Sequence, residues 1–549
     1  MEGRPFVRNG KTLLSGIDPE RRCQRTADAV TLKDRTLYFC PSPLYGYGLS
    51  RFLTRLETEA PGSAILCIEA DSELFELAKK NINSSIIDNK RFQLTDACDN
   101  EKLYTLVRNT WGARAFRRLE MLRFTGGWQL FPQWYDSLCE SLNREITTDW
   151  SNALTMTKLG RLYIRNLFRN LTLVPQFPSI CNLTFGSSPV LVIGAGPSLD
   201  FFLDALPELN DKNHSFKIIC VDTCLGALKD RKIVPDLTVI LESQHWNLGD
   251  FIGCHGWEIL KAIDLSSLPV SAKILSGEGF LFFTPWTSLR IFERLKKAQL
   301  LPFSLPPLGS VGLAAVELAR RLTSGKIICA GLDFSFTHDL NHARSTPGHR
   351  RKLNTQTRFQ RLLNYAAFDI HSFPVISKSD SSVCSNPAMI NYRELFEKEF
   401  GGDPHIFDIE GSGLPLGVKT LSIEEAIKEL TTELHGVTQR KEEVYSKTTS
   451  APCEPKVRRL CVSNSELISF LEGEITRLED LRSILTGEIA MDEQRLMVLI
   501  NECDYLWAHF PDYTGGRTAD LQDISFLKRI SAEIDPMLKL IRQMEAQNQ

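Results

Sequence analysis

Short apolar runs alternate with amphipathic segments through the middle of the chain. The apolar runs show almost no polar alternation, which is typical of strands buried on both faces of a parallel sheet. They predict strands at 190–193, 217–221, 237–241, 273–275 and 326–330. The segments between them have helical spacing and predict helices at 198–206, 225–231, 287–298 and 311–322. This order predicts an α/β domain with a central doubly wound parallel sheet.

The N-terminal region shows a shorter version of the same alternation. Strands are predicted at 37–40 and 64–69, helices at 49–59 and 72–81, and mainly helical structure over 100–173. Gly46 and Gly48 follow the first strand, and Glu69 ends the second. In a Rossmann-like domain such an acid would hold a ribose. Two glycines are also compatible with a domain that is only structural, so both interpretations stay open.

The C-terminal region changes to long, charge-rich helical patterns. Residues 335–420 contain Gly and Pro turns and predict loops and small elements, whereas 422–446 and 463–549 predict helices around a linker at 447–455. The second helical stretch places an apolar stripe on one face: Leu467, Leu471, Ile475, Leu478 and Leu481. We therefore predict an N-terminal Rossmann-like domain at 1–175, a central domain at 176–420 and a C-terminal helical domain at 421–549.

Composition narrows the class of protein. A chain of 549 residues with 43% hydrophobic and 24% charged residues is expected to fold into several domains. A net charge of −3 does not favour nucleic acid as a partner. We expect no membrane span and no signal peptide, because no apolar stretch reaches the required length. The 14 scattered cysteines favour a reducing compartment, and we expect a cytoplasmic protein.

Polar residues follow several predicted strands of the central domain. In an open parallel sheet such residues meet at the carboxyl ends of the strands, where ligands bind. Backbone N–H groups of the turn at Gly194–Ser198, the glycine turn, would face a phosphate. Asp222 could instead cap a helix, and Glu242 could be a solvated loop acid. The residues are Gly194, Gly196, Pro197, Ser198, Asp222, Thr223, Glu242 and Asp333.

The glycine turn differs from a dinucleotide fingerprint, because Leu199 occupies the position of the third glycine. A mononucleotide or a nucleotide sugar is therefore preferred over NAD. A second anion site is predicted at Ser310 and Gly312, which precede a strongly helical run. A plain capped helix is the alternative.

A third candidate is a loop rich in histidine and cations. His342 could be a general base, and the cations could hold a phosphate or a carboxylate. A metal site from His338 and His342 is the less favoured alternative, and the basic run could also be a solvated surface strip. The basic run contains Arg344, His349, Arg350, Arg351 and Lys352.

At these residues the chain resembles the motility accessory factor (Maf) family. Members are flagellin glycosyltransferases related in fold to bacterial sialyltransferases, and similar to 6-hydroxymethylpterin diphosphokinase-like proteins. The motifs that carry the resemblance are GAGPSL at 194–199, VDT at 221–223, PD at 235–236, GSVG at 309–312 and GLDF at 331–334. Weaker likeness continues at 341–343 and 408–417.

The resemblance implies a sialyltransferase-like catalytic domain that transfers a nonulosonic acid from a CMP-activated donor to Ser or Thr of flagellin. The glycine turn, with Asp222, Thr223, Glu242, Ser310 and Gly312, would then bind the donor nucleotide. His342 and Asp333 would act at the reacting centre, with His342 favoured as base. No cofactor is required, although Mg²⁺ is possible.

Two other functions are compatible with the sequence. One is an ATP-dependent pterin diphosphokinase-like enzyme, in which Asp222 and Glu242 would hold Mg²⁺. The other is a non-catalytic flagellin-binding protein that uses the apolar stripe of the C-terminal helices.

Overall fold

The computed structural model describes residues 5–96, 99–112, 114–206, 216–359, 361, 364–431, 462–490, 492–511 and 519–549. Within these ranges the chain forms two compact units. One comprises Met1–Arg161 with Leu506–Phe526, and the other Leu162–Tyr505 with Leu527–Gln549. The predicted division into three domains stays a prediction. None of the helices in the described ranges combines the length and the apolarity that a membrane span requires.

The first unit is built around a four-stranded parallel sheet. Its elements are β1 (Phe6–Arg8), β2 (Lys11–Leu14), α1 (Pro19–Ala29), β3 (Thr36–Pro41), α2 (Leu49–Glu59), β4 (Ala64–Ile68), α3 (Ser72–Asn81), α4 (Ser84–Ile87), β5 (Phe92–Thr95), α5 (Asn100–Trp111), β6 (Arg118–Met121) and the first part of α6 (Pro132–Asn170). The sheet order is β5-β4-β3-β6, and β1 and β2 pair separately as an antiparallel ribbon. The predicted strands and helices between 37 and 81 are confirmed.

The expectation of mainly helical structure over 100–173 is confirmed by α5 and α6, but the segment also contains the strand β6, which was not predicted. This strand pairs in parallel with β3 at one edge of the sheet. Only Leu119 is buried among its four residues, so the segment has little apolar signal. Edge strands of this kind are hard to distinguish from loops or helix ends by periodicity.

The second unit is built around an eight-stranded parallel sheet, which confirms the predicted α/β class. Its elements are β7 (Val190–Ile193), α7 (Leu199–Ala205), β8 (Lys217–Val221), α8 (Leu225–Asp230), β9 (Leu237–Ile240), β10 (Leu260–Asp264), β11 (Gly279–Phe282), α9 (Arg290–Lys297), α10 (Val311–Leu322), β12 (Ile327–Ala330), α11 (Pro347–Thr355), β13 (Phe373–Ile376), β14 (Ser382–Ser385), α12 (Pro387–Phe400), β15 (Ile406–Ile409), β16 (Lys419–Leu421), α13 (Ile423–Thr431), α14 (Asn464–Thr486), α15 (Glu493–Glu502) and α16 (Ile524–Asn548). The sheet order is β11-β10-β9-β8-β7-β12-β15-β16, and the hairpin β13–β14 is separate.

The strands of this sheet are apolar on both faces because helices cover them. All four residues of β7, β9 and β12 are buried. Helix α10 packs on β7, β8, β9 and β12, and most of its twelve residues are buried. The strand order reverses between β7 and β12, so the chain leaves the sheet in opposite directions there. Such a switch point is where open α/β sheets bind ligands.

Two parts of this sheet differ from the sequence prediction. The strand predicted at 273–275 is wrong: Ser271–Lys273 forms a 3₁₀ turn. Strands β10 and β11 lie on either side of that turn. The region 335–420, predicted as loops and small elements, also supplies β15 and the 14-residue helix α12. A buried run of three or four residues gives too short a pattern to distinguish a strand from a turn.

The C-terminal helices are confirmed by α14, α15 and α16, whereas 432–461, including the predicted linker, lie outside the described residues. A capping box at Ser463 and Glu466 begins α14, and Gly487 ends it with a φ of 79°. Most of the predicted apolar stripe is buried, namely Leu467, Leu471, Leu478 and Leu481, and Ile475 is partly buried. The stripe is therefore part of a protein interior.

A carboxylate lies inside this helical packing. Glu474 of α14 is fully buried. Both of its oxygens bond the guanidinium of Arg294, at 2.7 and 2.8 Å. Arg477 Nη1 and the Tyr505 hydroxyl donate further bonds, at 3.0 and 3.3 Å. Arg294 also donates to the carbonyl of Glu502 at 2.9 Å. One ion-pair network thus joins α9, α14 and α15.

We expect Glu474→Ala to lower the free energy of unfolding by about 3–5 kcal/mol, because it leaves a partly buried arginine without its partner. The measurement is urea denaturation followed by circular dichroism. Glu479→Ala is the matched control, since Glu479 lies on the same helix and pairs with Arg542 at an exposed position. The control is expected to change stability by less than about 1 kcal/mol. Equal effects of the two substitutions would contradict the role of the network.

Candidate functional site

The exits of β7 and β12 meet at the switch point, and glycines allow the meeting. A Cβ on Gly194 would lie closer to the carbonyl oxygen of Gly331 than atoms can pack. A Cβ on Gly196 would lie 2.5 Å from the Asp333 carboxyl carbon. Gly331 itself has a φ of +69°. The two glycine-containing exits therefore touch backbone to backbone, which any side chain would prevent.

The N–H groups of this turn are already used inside the protein. Gly194 N–H donates to the Ala330 carbonyl and Gly196 N–H to the Gly331 carbonyl, both at 2.8 Å. Ser198 N–H donates to Asp333 Oδ2 at 2.7 Å. These three groups do not face a phosphate, in contrast to the sequence-based interpretation. The helix after the turn begins at Leu199, so Pro197 precedes the helix instead of opening it.

Asp333 lies beneath this turn, with 3% of its surface exposed. Besides the backbone bond, its carboxylate accepts a short hydrogen bond from the Ser198 hydroxyl. Burial raises the pKa of Asp333, and the bonds from Ser198 oppose that change. A Cβ on Gly413 would lie 2.9 Å from its Cα, so the loop after β15 covers it. The geometry therefore gives Asp333 a bond to the glycine turn, while its predicted role at the reacting centre stays a prediction.

Asp222 and Thr223 lie at the exit of β8, within a polar cluster. The Asp222 carboxylate is buried and accepts bonds from Asn247 Nδ2 at 2.6 Å and from Thr223 N–H at 2.9 Å. Asp250 lies nearby and bonds the Thr223 hydroxyl at 3.4 Å. Burial and then the charge of Asp250 raise the pKa of Asp222 to about 7. Burial likewise raises the pKa of Asp250 to about 6. A cation placed between these carboxyl groups would relieve both effects.

Two asparagines of α6 hold the exits of β9 and β10. Asn166 Nδ2 donates to the carbonyls of Ser243 and Ser266, at 3.0 and 3.1 Å. Asn170 Nδ2, one turn later, donates to the carbonyls of Leu265 and Ser267, at 3.0 and 2.8 Å. Residues four apart lie on one face of a helix, so this face of α6 runs along the edge of the sheet formed by the carboxyl ends of β9 and β10.

Glu242 is exposed at the exit of β9. Its Oε1 accepts the N–H of Gln244 at 2.8 Å, while no described residue donates to Oε2. Its carboxylate is therefore available to a ligand. The alternative of a solvated loop acid agrees with this exposure, but Glu242 is not isolated, because its charge helps to raise the pKa of Tyr163 and of Tyr392.

Ser310 and Gly312 lie at the start of α10. Ser310 occupies the N-cap position, but its hydroxyl makes no capping hydrogen bond. A Cβ on Gly312 would lie 2.7 Å from a methyl carbon of Leu332, and a Cβ on Gly194 would lie 2.6 Å from the same carbon. A Cβ on Gly309 would lie 3.2 Å from the Tyr392 ring. The start of α10 therefore connects the glycine turn with Tyr392.

His342 lies beside the glycine turn, because the N–H of the next residue, Ala343, donates to the Ala195 carbonyl at 2.9 Å. Burial, and then the nearby charge of Lys352, lower the pKa of His342. Burial also lowers the pKa of Lys352. Lys352 Nζ donates to Asn364 Oδ1 at 3.4 Å, and no carboxylate in the described ranges pairs with it. A cation without a carboxylate partner in the described ranges thus lies near His342, and such a cation can bind an anion.

The other members of the basic run have partners or solvent around them. Arg344 pairs with Asp200 and Asp204, and Arg350 with Asp230. His349 Nδ1 accepts the N–H of Ser345 at 3.1 Å. Arg351 is exposed near Asp250. Arg344 and Arg350 are thus ion-paired, whereas His349, Arg351 and Lys352 have no carboxylate partner among the described residues. Of these three, Lys352 is the one whose charge lowers the pKa of His342.

The alternative of a metal held by His338 and His342 finds no third ligand. His338 Nε2 lies 3.9 Å from the Cys384 sulfur, and its ring packs near Phe368. The residues that the structure describes contain no group of three His, Cys, Asp or Glu arranged to hold a metal ion.

The candidate ribose acid of the first unit is engaged within that unit. Glu69 accepts bonds from the Ser42 hydroxyl at 2.6 Å, from Asp71 N–H at 3.2 Å and from the Tyr135 hydroxyl at 3.3 Å. Burial raises its pKa. A Cβ on Gly48 would lie 2.8 Å from the Cys23 carbonyl oxygen, so the glycine turn is occupied by α1. This geometry favours the structural interpretation of the N-terminal glycines.

Three aromatic residues near the site were not predicted from the sequence as part of it. They are Tyr163 of α6, Trp286 after β11 and Tyr392 of α12. They come from segments far apart in the chain, and none lies in a recognisable motif. An aromatic residue at helical spacing has the same appearance as a core residue, so the sequence carries no signal for this group.

Comparison with known proteins gives three findings. Residues 163–339 match the family described as "6-hydroxymethylpterin diphosphokinase MptE-like". A protein of Treponema pallidum (strain Nichols), described as an uncharacterized protein, is 29% identical over 532 residues, which cover 94% of this chain and 90% of the relative. The solved structure of the MAf glycosyltransferase from Magnetospirillum magneticum AMB-1 aligns with 12% identity and a TM-score of 0.49, over 100% of this chain and 83% of that one.

The family match covers β7 to β12 and the candidate residues from Gly194 to Asp333, whereas His342 and the basic run that contains Lys352 lie beyond it. It also includes Tyr163 and the two asparagines of α6. The resemblance to 6-hydroxymethylpterin diphosphokinase-like proteins, drawn above from short motifs, agrees with this match over residues 163–339.

Proposed function

We propose that the second unit is a glycosyltransferase that moves a nonulosonic sugar from a CMP-activated donor to Ser or Thr of flagellin, in support of flagellar assembly and motility. The observation that carries the proposal is the pair of His342 and Lys352 beside the glycine turn, with the cation unpaired. The activated donor carries a phosphate anion. Lys352 binds this phosphate, and His342 accepts the proton of the acceptor hydroxyl.

The donor, the acceptor, Lys352 and His342 together account for every bond and proton of the transfer. The bond between the anomeric carbon and the phosphate oxygen of the donor breaks, and CMP leaves with the bonding electrons. Lys352 stabilises the charge that develops on the phosphate. The acceptor oxygen forms the new bond to the anomeric carbon, which has oxocarbenium character on the way. The hydroxyl proton passes to neutral His342.

A second candidate is a diphosphokinase, which the description of the matching family favours. Such an enzyme would transfer pyrophosphate from ATP with Mg²⁺. Asp222 and Asp250 could hold the metal together with phosphate oxygens, because Mg²⁺ often takes only one or two carboxylates. The raised pKa values of both groups fit a site that lacks a nearby cation.

We expect the protein to bind CMP without Mg²⁺ and to bind it more tightly than ATP, as measured by isothermal titration calorimetry. Lys352→Met should weaken CMP binding by about tenfold or more, because it removes a charge-assisted contact to the phosphate. Lys297→Met is the matched control, since Lys297 is an exposed lysine in the last turn of α9. Binding of ATP only in the presence of Mg²⁺ would favour the diphosphokinase.

We expect His342→Ala to reduce turnover by about 10²–10⁴-fold and to leave CMP affinity nearly unchanged, because the base contributes to proton transfer and not to donor binding. Since the pKa of His342 lies below its usual value of about 6.5, wild-type turnover should be flat near pH 7 and should fall only in more acidic solution. The variant should lack that acidic limb. An unaltered turnover or pH profile would remove His342 from the mechanism.

The acceptor is tested in cells. Intact-mass analysis of flagellin, from cells with and without this protein, should show repeated increments of an acidic sugar that disappear when the protein is absent. A strain that carries His342→Ala is the control for loss of activity without loss of the protein. Identical masses in all strains would exclude flagellin as the acceptor.

A further inference from the structure

Partly exposed aromatic rings lie beside the candidate site at the exits of β9 and β11. We call the group of Tyr163, Glu242, Trp286 and Tyr392 the aromatic recess. Tyr163 lies one turn before Asn166 on α6, and Asn166 is bonded to the residue that follows Glu242. The rings of Tyr163 and Trp286 lie 5.2 Å apart with a tilt of 57°. The start of α10 supplies the neighbouring wall at Tyr392.

The four side chains keep part of their surface open. Tyr163, Trp286 and Tyr392 are each partly exposed, and Glu242 is exposed. Trp286 is fixed from behind by edge contacts with Phe283 and Phe292, at 5.5 and 5.0 Å. A rigid aromatic surface that remains accessible is well suited to stack on a planar ligand, since ordering it costs little entropy.

Two polar groups of the recess lack partners. Trp286 Nε1 is buried without a hydrogen-bond acceptor in the described part of the chain. Glu242 Oε2 has no donor there either. A buried donor without a partner is uncommon in folded proteins and calls for an acceptor from outside the chain. The recess thus offers one N–H donor and one carboxylate acceptor next to aromatic faces.

The charge of Glu242 affects the pKa of both tyrosines of the recess. Burial and then the charge of Glu242 raise the pKa of Tyr163 to about 12. Burial and then the same charge raise the pKa of Tyr392. Both phenols are therefore protonated at neutral pH. None of the three aromatic side chains carries a positive charge that would neutralise Glu242. Such a site attracts ligand N–H groups and repels ligand oxygens.

The proposed phosphate-binding pair of His342 and Lys352, the anion site, lies close enough to the recess for one ligand to reach both. Neighbouring strands are about 4.8 Å apart, so the exits of β7 and β9 are separated by roughly 10 Å. The first turn of α10 bridges this interval, because Gly312 approaches Leu332 above β7 and Gly309 approaches Tyr392. One extended ligand could therefore occupy the anion site and the recess together.

We propose that the aromatic recess binds a planar heteroaromatic ring that carries an exocyclic amine, with the amine donating to Glu242 and the ring stacking on Tyr163 and Trp286. The inference rests on the proposed function, in which this ring is the cytosine of the donor. Cytosine, adenine and a pterin share the required amine, whereas uracil presents a carbonyl oxygen to the carboxylate. The shared chemistry is thus the aminated ring.

Calorimetric titration of the full-length protein with CMP and UMP tests the inference. We expect CMP to bind at least tenfold more tightly than UMP, because cytosine presents its exocyclic amine to the carboxylate where uracil presents a carbonyl oxygen. Glu242→Gln should reduce this ratio to about threefold or less by weakening CMP binding. Glu258→Gln, at an exposed acid preceding β10, is the matched control and should leave the ratio unchanged. Equal binding of CMP and UMP by the wild type would overturn the inference.

Trp286→Phe provides the second variant, since it keeps an aromatic ring in the recess but removes the indole N–H and reduces the stacking surface. It should weaken CMP binding severalfold without loss of thermal stability. If CMP binds tightly to the wild type and equally tightly to both variants, the proposed role of the recess is wrong and the CMP-donor proposal stands. If AMP or a pterin binds instead of CMP and Glu242→Gln weakens it, the recess survives and the donor proposal fails. Failure of all of these ligands to bind would overturn both.

Discussion

The site depends on the contact between the backbones that leave β7 and β12. Glycine at 194, 196 and 331 lets the two strand exits touch, and the Asp333 carboxylate then bonds the backbone and hydroxyl of Ser198. The remaining parts are arranged around this contact. The Ala343 N–H donates to the Ala195 carbonyl in the glycine turn, which places His342 beside that turn. Leu332 fills the space between the glycine turn and the start of α10.

This contact changes the meaning of a familiar sequence pattern. A glycine-rich turn between a strand and a helix commonly presents its N–H groups to a phosphate. In this chain three of those groups are satisfied by Ala330, Gly331 and Asp333. The polar side chains open to a ligand lie elsewhere, with Lys352 on α11 and Glu242 at the exit of β9. The motif predicted the strand and the turn, but not the internal use of the N–H groups of the turn.

The sequence predicted the elements that have strong periodicity or several consecutive apolar residues. Strands β7, β8, β9 and β12 and helix α10 belong to this class, as do β3 and β4 of the first unit. It could not predict β6 or β15, whose side chains alternate little between buried and exposed. Nor could it show that Arg344 and Arg350 are paired while Lys352 has no carboxylate partner among the described residues, because these ion pairs join residues more than a hundred positions apart.

Helix α6 has a further consequence for how such a chain can diverge. Its asparagines bond four carbonyls at the exits of β9 and β10, and Tyr163 extends the same row by one turn. One residue inserted into the helix would rotate everything beyond it by about 100°. Surface loops can lengthen or shorten at little cost, but the phase of this helix is tied to the sheet. Changes in its length are therefore tolerated only in steps that restore the helical turn.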